Sequence, residues 1–219
     1  MKSGIFGYTA NGLPIPVYNF GSRGPGVLIV GGVHGNEPEG IACAHGLLNL
    51  FAKSFPYVLR LDLVPILNLD GALKGERRNG NGVDLNRNLP TNDWTAKFDQ
   101  EKYFPGVSAN SEPESQAVVN YLKINKITFI VSLHSWYPLL NINGACQDEA
   151  EVIKKITHYE IKESIGYPTP GCLGTYAGLE RDIPTLTYEI ERGLGTKEIL
   201  STHCKAIVES LKVCERRGR

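Results

Sequence analysis

The run VLIVGGV at residues 27–33 limits the possible folds most, because it contains no polar side chain. A strand with one face in water alternates apolar and polar residues, whereas a strand covered on both faces is a continuous apolar run. ITFIVSL at 127–133 predicts a second buried strand, and PTLTYEI at 184–190 predicts a further strand. We therefore expect a sheet that carries helices on both of its faces.

The segments around these runs predict an alternation of strands and helices. A helix beginning at Ser111-Glu112-Pro113-Glu114 is predicted to reach about residue 124, with Ser111 as the cap and Glu114 completing a capping box. The expected fold class is α/β, a three-layer αβα arrangement with a mixed, largely parallel central sheet. No linker or repeat divides the sequence, so one domain over residues 1–219 is expected. The other predicted strands are 4–9, 13–20 and 58–67, and the other predicted helices are 40–54, 149–163 and 196–213.

Composition and charge exclude several classes of partner. Lys plus Arg and Asp plus Glu number 23 each without long runs of one sign, which argues against binding to nucleic acid or to anionic membranes. The first residues lack the apolar core of a signal peptide, and no stretch approaches the roughly 18 apolar residues of a membrane span. The five cysteines form no CxxC pair and are interpreted as cytosolic thiols. We expect a cytoplasmic protein that acts on a small molecule or peptide.

Ionisable residues follow the predicted buried strands or lie within them. His34 and Glu37 come directly after VLIVGGV, His134 follows ITFIVSL, and Glu189 lies inside the last strand. Two imidazoles and one carboxylate leave the fourth tetrahedral position open, as in catalytic zinc sites. Helix capping for His34 and Glu37, or a structural role for His134, is the simpler alternative. Glu189 is harder to explain in that way, because a buried carboxylate without a partner costs several kcal/mol.

The stretch from residue 68 to residue 110 is rich in Asn, Gly, Asp and Pro, and it is too long for an idle connection in a compact domain. Its segment ERRNGNGVDLNRNLP at 76–90 contains three arginines, Arg77, Arg78 and Arg87, near Asp84 and Asn86. Guanidinium groups grip carboxylates and developing oxyanions well. We therefore predict a functional loop region here.

Together these segments resemble the zinc carboxypeptidase family, which includes the pancreatic carboxypeptidases. The resemblance extends across most of the chain, and the matching segments occur in the family's order. They are HGNE (34–37), NLDG (68–71), GVDLNRN (82–88), SEPES (111–115), the strand before His134, and TYE (187–189).

The resemblance implies one Zn²⁺ per chain, bound by His34, Glu37 and His134, a ligand set that carboxypeptidase A also has. Glu189 would be the general base and acid, taking a proton from water and returning it to the leaving amine. Asp84 would accept a hydrogen bond from the far nitrogen of His34. The remaining roles are polarisation of the scissile carbonyl by Arg77, unless Arg78 does so, and binding of the free carboxylate by Asn86 and Arg87.

A narrower resemblance concerns YPTPGCLGTYAG at 167–178 and the short chain, which are similar to the murein tripeptide amidases of this family. It implies hydrolysis of the bond between γ-D-Glu and meso-diaminopimelate during cell-wall recycling, with Tyr167 as a candidate to cover the substrate. Alternatives are a carboxypeptidase for ordinary C-terminal peptides and a deacylase of N-acyl amino acids, like aspartoacylase or succinylglutamate desuccinylase. A non-catalytic module that binds peptide ends is a further alternative, but the presence of Glu189 argues against it.

Overall fold

The computed structural model describes residues 1–217, which form one eight-stranded sheet in the order β1-β2-β4-β3-β5-β8-β6-β7. The strands are β1 Lys2–Tyr8, β2 Pro14–Phe20, β3 Gly26–Val30, β4 Arg60–Val64, β5 Phe129–Trp136, β6 Leu139–Asn143, β7 Glu160–Lys162 and β8 Thr185–Glu191. The helices are α1 Pro38–Lys53, α2 Leu69–Lys74, α3 Pro113–Ile124, α4 Gln147–Thr157, α5 Thr196–Glu198 and α6 Cys204–Arg217. Two π-helical segments, Gly174–Leu179 and Ile199–His203, and two 3₁₀ helices, Leu85–Arg87 and Glu101–Tyr103, are also present.

The four central strands, β4, β3, β5 and β8, are parallel, and antiparallel pairs join them to β2 on one side and β6 on the other. Every residue of β3 is buried, as the continuous apolar run predicts. One apolar cluster includes residues of α1, α4 and α6, and a second includes residues of α3. The α/β class with a mixed sheet between helices is therefore confirmed. No helix among the described residues is both long and apolar enough to cross a membrane.

At the far edge of the sheet one predicted helix end is wrong, and two strands were not predicted. The helix predicted to reach residue 163 ends at Thr157, where His158 adopts a positive φ of 62°. Residues Glu160–Lys162 then form β7, which pairs with β6, a strand that the sequence reasoning did not identify. Short edge strands carry little apolar pattern of their own, so pairing with a neighbour decides their conformation.

The predicted capping box at α3 is also wrong. The Ser111 hydroxyl donates to Glu112 Oε1, and Glu114 accepts hydrogen bonds from the backbone N–H of Ala10 and from Asn79 Nδ2. Tertiary partners therefore replace the local pattern. The long loop region likewise contains helical turns, of which α2 begins at the N-cap Asn68, whose side chain accepts a hydrogen bond from the Gly71 N–H.

Candidate metal centre and its cleft

The carboxyl ends of the central strands position the ionisable residues. β3 ends at Val30, so His34 and Glu37 belong to the loop that leads into α1. β5 continues further, and His134 lies inside it in register with Glu189 of the neighbouring parallel strand β8. Since register partners on parallel strands point to the same face, the two side chains lie beside each other. The sheet therefore brings together residues 34, 37, 134 and 189.

The loop between β3 and α1 packs tightly against α2. A side chain at Gly35 would place its Cβ 2.0 Å from the backbone carbon of Gly71 in α2. The start of α1 is fixed on the other side, where the Gly40 N–H donates to Ser135 Oγ at 2.9 Å. Only glycine permits the contact at position 35, so the β3–α1 loop, which carries His34 and Glu37, is held between α2 and β5.

Ligand atoms of His34, Glu37 and His134 converge within 4.8 Å of one another, and all three residues are buried. The two Nδ1 atoms are 3.2 Å apart, and each lies 2.9 Å from an oxygen of Glu37. Two nitrogen ligands at about 2.0–2.1 Å from a tetrahedral zinc stand about 3.3 Å apart. The spacing and the chemistry of this donor set therefore fit zinc.

The far nitrogens of both imidazoles are hydrogen-bonded elsewhere. His34 Nε2 lies 3.0 Å from Asp84 Oδ1, and His134 Nε2 lies 3.0 Å from Ser132 Oγ. An Nε2–H that donates to Asp84 leaves His34 Nδ1 unprotonated, which is the tautomer a metal ligand requires. Asp84 also accepts from Arg77 Nε at 3.0 Å and from the Asn86 N–H at 2.9 Å. These contacts fix the orientation of the His34 ring.

The charges of the cluster shift its pKa values strongly. Burial alone would raise the pKa of Glu37, but the neighbouring His34 and His134 outweigh it and hold that pKa well below its usual value. Burial is likewise overcome at Asp84, where His34 and Arg77 keep the pKa far below normal. Both carboxylates are therefore ionised at neutral pH.

The pKa of Glu189 is shifted in the opposite direction, above its ordinary value. Its side chain is buried, and Oε2 has no hydrogen-bond partner among the described residues. Burial raises its pKa to about 7, with His134 acting in the lowering direction and the charge of Glu37 in the raising direction. A carboxyl group with a pKa near neutrality can both accept and return a proton.

The structure separates the two candidate arginines. Arg77 lines the cleft, where its Nη1 lies 3.6 Å from Glu37 Oε1 and its Nη2 lies 2.9 Å from Asp84 Oδ2. Arg78 instead donates from Nη1 to the backbone oxygen of Glu101 at 3.0 Å and is not part of the cleft lining. Arg77 is thus the arginine beside the cluster.

Asn86 and Arg87 both face the same cleft. Asn86 Oδ1 accepts a hydrogen bond from the Leu173 N–H at 3.1 Å, which fixes the orientation of its amide. Arg87 donates from Nη1 to the Asn86 carbonyl oxygen, and its guanidinium lies 5.2 Å from the centre of the Tyr103 ring. No described carboxylate lies within 4 Å of the Arg87 side chain, so its charge is available to an anion.

The cleft has a volume of about 240 Å³, and Tyr167 lies at its wall, where its ring meets Trp136 edge to face at 5.9 Å. A larger cavity of about 390 Å³ beside Gly26 and Phe129, at the amino ends of the central strands, lacks the metal-ligand cluster.

Three further residues of the cleft were not predicted from the sequence, namely Lys102, Tyr103 and Arg192. Lys102 and Tyr103 lie in a part of the loop region without a motif. Arg192 directly follows the strand of Glu189 and could have been found from that position.

A buried two-histidine, one-glutamate cluster beside an isolated glutamate, on a mixed α/β sheet, defines the class of zinc metallopeptidases and amidases. The chain belongs to the zinc carboxypeptidase family, whose model matches residues 1–170. It is 32% identical over 182 residues to the murein peptide amidase A of Vibrio campbellii, covering 77% of this chain and 69% of that protein. The corresponding protein of Escherichia coli (strain K12) is 30% identical over 161 residues, covering 68% of this chain and 64% of that protein.

Solved structures have the same fold. The murein-tripeptide amidase of Escherichia coli O157 superimposes with a TM-score of 0.80 at 23% identity, covering 97% of this chain and 92% of that one. Carboxypeptidase A of Helicoverpa armigera superimposes with a TM-score of 0.82 at 19% identity, covering 98% of this chain and 68% of that one. The family and the fold predicted from the sequence motifs are therefore confirmed, and the protein is a hydrolase of the zinc carboxypeptidase family.

Proposed function

We propose that this protein is a zinc-dependent amidase that hydrolyses the bond between γ-D-Glu and meso-diaminopimelate in murein tripeptide. The observation that carries the proposal is the convergence of His34, Glu37 and His134 beside Glu189, whose Oε2 has no hydrogen-bond partner in the described part of the chain. The substrate is suggested by the two relatives named murein peptide amidase A. One Zn²⁺ per chain would be held by the three clustered residues.

Zinc in such a site supplies a Lewis acid and lowers the pKa of a water molecule to about 7. Glu189 would accept a proton at Oε2 and pass it to the nitrogen of the leaving amine. The buried position of this carboxyl, with its pKa of about 7, favours both transfers. Asp84 would keep His34 in the required tautomer, and Arg77 would stabilise the negative charge on the carbonyl oxygen.

Asn86 and Arg87 would bind the free carboxylate of the diaminopimelate that is released. Arg87 is well prepared for this role, because its contacts with the Asn86 carbonyl and the Tyr103 ring order the guanidinium before substrate arrives. Tyr167 would cover the bound substrate from the wall of the cleft. Its ring is partly exposed and rests on Trp136, so it can contact a ligand.

We further propose that residues 1–219 form a single catalytic domain that works in the cytoplasm on peptides recovered from the cell wall. All five cysteines are thiols, including Cys43 and Cys204 with Sγ atoms 3.7 Å apart, which suits a reducing compartment. The two apolar clusters pack on one sheet, which supports a single folding unit.

The test is hydrolysis of L-Ala-γ-D-Glu-meso-diaminopimelate by zinc-loaded protein, with released diaminopimelate measured by mass spectrometry. The Glu189→Gln variant should lose nearly all activity while still binding zinc. Glu163→Gln, which changes an exposed glutamate outside the cleft, is the matched control and should retain full activity. No release by the wild type would overturn the proposed substrate.

Ordinary C-terminal peptides are the second candidate substrates, since Asn86 and Arg87 would bind any terminal carboxylate. The similarity to the fold of carboxypeptidase A also favours this candidate. A series of α-linked dipeptides and tripeptides in the same assay distinguishes the two activities. Release of the terminal residue from these peptides, together with an inert murein tripeptide, would favour the carboxypeptidase.

A further inference from the structure

Arg192 is a cation of the cleft to which the proposed mechanism gives no role. It follows β8 directly, and its backbone N–H donates to the Trp136 carbonyl oxygen at 3.2 Å. Its Nε donates to the Ser135 carbonyl oxygen at 3.0 Å, and its Nη1 donates to the Asn36 carbonyl oxygen at 2.9 Å. The guanidinium is therefore held in one orientation by the loop of the metal cluster and by the end of β5.

The remaining face of this guanidinium is open to the cleft. Its Nη2 lies 3.8 Å from Glu37 Oε1, too long for a hydrogen bond, and the side chain is 44% exposed. Glu37 is already shared by His34, His134 and Arg77, so it does not neutralise Arg192 fully. Arg192 thus keeps donors and charge for a ligand in the cleft.

Arg192 and Arg87 reach the cleft from different walls. Arg87 stands beside Tyr103, as Arg77 does, and Arg77 in turn contacts Glu37. Arg192 approaches Glu37 from the end of β8, whereas its side-chain hydrogen bonds go to Ser135 and Asn36. If Arg87 binds the carboxylate of the leaving residue, Arg192 is placed for an anionic group on the other side of the reacting bond.

We infer that Arg192 binds a carboxylate on the acyl side of the scissile amide and thereby selects γ-linked over α-linked substrates. In a γ-linked D-Glu residue the α-carboxylate is free and belongs to the acyl part of the substrate. In an α-linked peptide that carboxyl carbon is itself the scissile carbonyl, so no such anion is present. This inference rests on the proposed function and specifies how the same cleft recognises its substrate class.

The experiment compares L-Ala-γ-D-Glu-meso-diaminopimelate with the same peptide in which the α-carboxylate of D-Glu is converted to the amide. A hydrogen-bonded charge pair lost in this way lowers kcat/KM by about tenfold to a hundredfold, mainly through KM. Equal kcat/KM for the two peptides would overturn the role of Arg192 and leave the amidase function intact. Failure to cleave either peptide would instead remove the proposed function itself.

The Arg192→Gln variant completes the test, because it should cleave both peptides with similar kcat/KM. Binding of each peptide to Glu189→Gln protein, measured by calorimetry with and without Arg192→Gln, gives a readout that does not depend on turnover. Arg60→Gln is the matched control, since Arg60 also donates to a backbone carbonyl, that of Lys126, but at the opposite end of the sheet. If Arg192→Gln instead lowered kcat/KM by the same factor for both peptides, Arg192 would only position the β3–α1 loop that contains Asn36.

Discussion

The buried carboxyl of Glu189 should make the metal-free protein less stable as the pH rises. Its pKa of about 7 in the folded protein lies above the ordinary value of 4.5, and burial is the main cause. Between these two values the folded state binds more protons than the unfolded state, so the free energy of unfolding falls with increasing pH. At about 1.4 kcal/mol for each pH unit, the cost of ionising this group reaches about 3 kcal/mol above pH 8.

Replacing Glu189 by Gln removes this cost while keeping the shape of the side chain. We expect the free energy of unfolding of Glu189→Gln, relative to wild type, to rise by about 3 kcal/mol between about pH 4 and about pH 8. Urea unfolding of chelator-treated protein at several pH values measures it, with the exposed Glu163→Gln as a control that should give a flat difference. A flat difference for Glu189→Gln as well would refute the reasoning that burial, without a partner for Oε2, sets the pKa.

Three further substitutions test the contacts of the site. Asp84→Asn should weaken zinc binding by about 10- to 100-fold, measured by competition with a chelator, because His34 loses a charged acceptor. Arg77→Met should lower kcat by about 10²- to 10³-fold, whereas Arg78→Met should change it little, and similar losses in both would contradict the assignment. Gly35→Ala should lower the thermal stability measurably, because its Cβ would meet α2 backbone at 2.0 Å; unchanged melting would show that the loop can shift.

Much of the fold follows from local sequence pattern. The apolar run of β3 is buried at every residue, and the helical spacing of residues 40–54 corresponds to α1. Patterns of this kind are reliable because burial acts on each residue in proportion to its apolar surface. The predicted capping box at α3 is wrong because residues distant in sequence, Asn79 and Ala10, donate to the Glu114 carboxylate in place of its own helix.

Residues of the candidate site could be predicted from the sequence where a motif lies at the end of a predicted strand. His34, Glu37, His134 and Glu189 each lie at or near the carboxyl end of a central strand, and parallel pairing brings such ends together. Their neighbours could not be found in this way. Tyr103 ends a single 3₁₀ turn within the long loop region, and only the packing of that turn against the arginines places it in the cleft.

The sequence by itself therefore determined the main buried strands and helices through apolar periodicity, and the candidate metal ligands through residue types at strand ends, while the resemblance of its motif segments indicated the family. Only the tertiary structure decided which arginine faces the cluster, that Glu189 Oε2 has no hydrogen-bond partner within residues 1–217, and that Arg192 is held by two carbonyls. These properties depend on distances between segments far apart in the chain. Local pattern carries no information about such distances, whereas packing around the sheet fixes them.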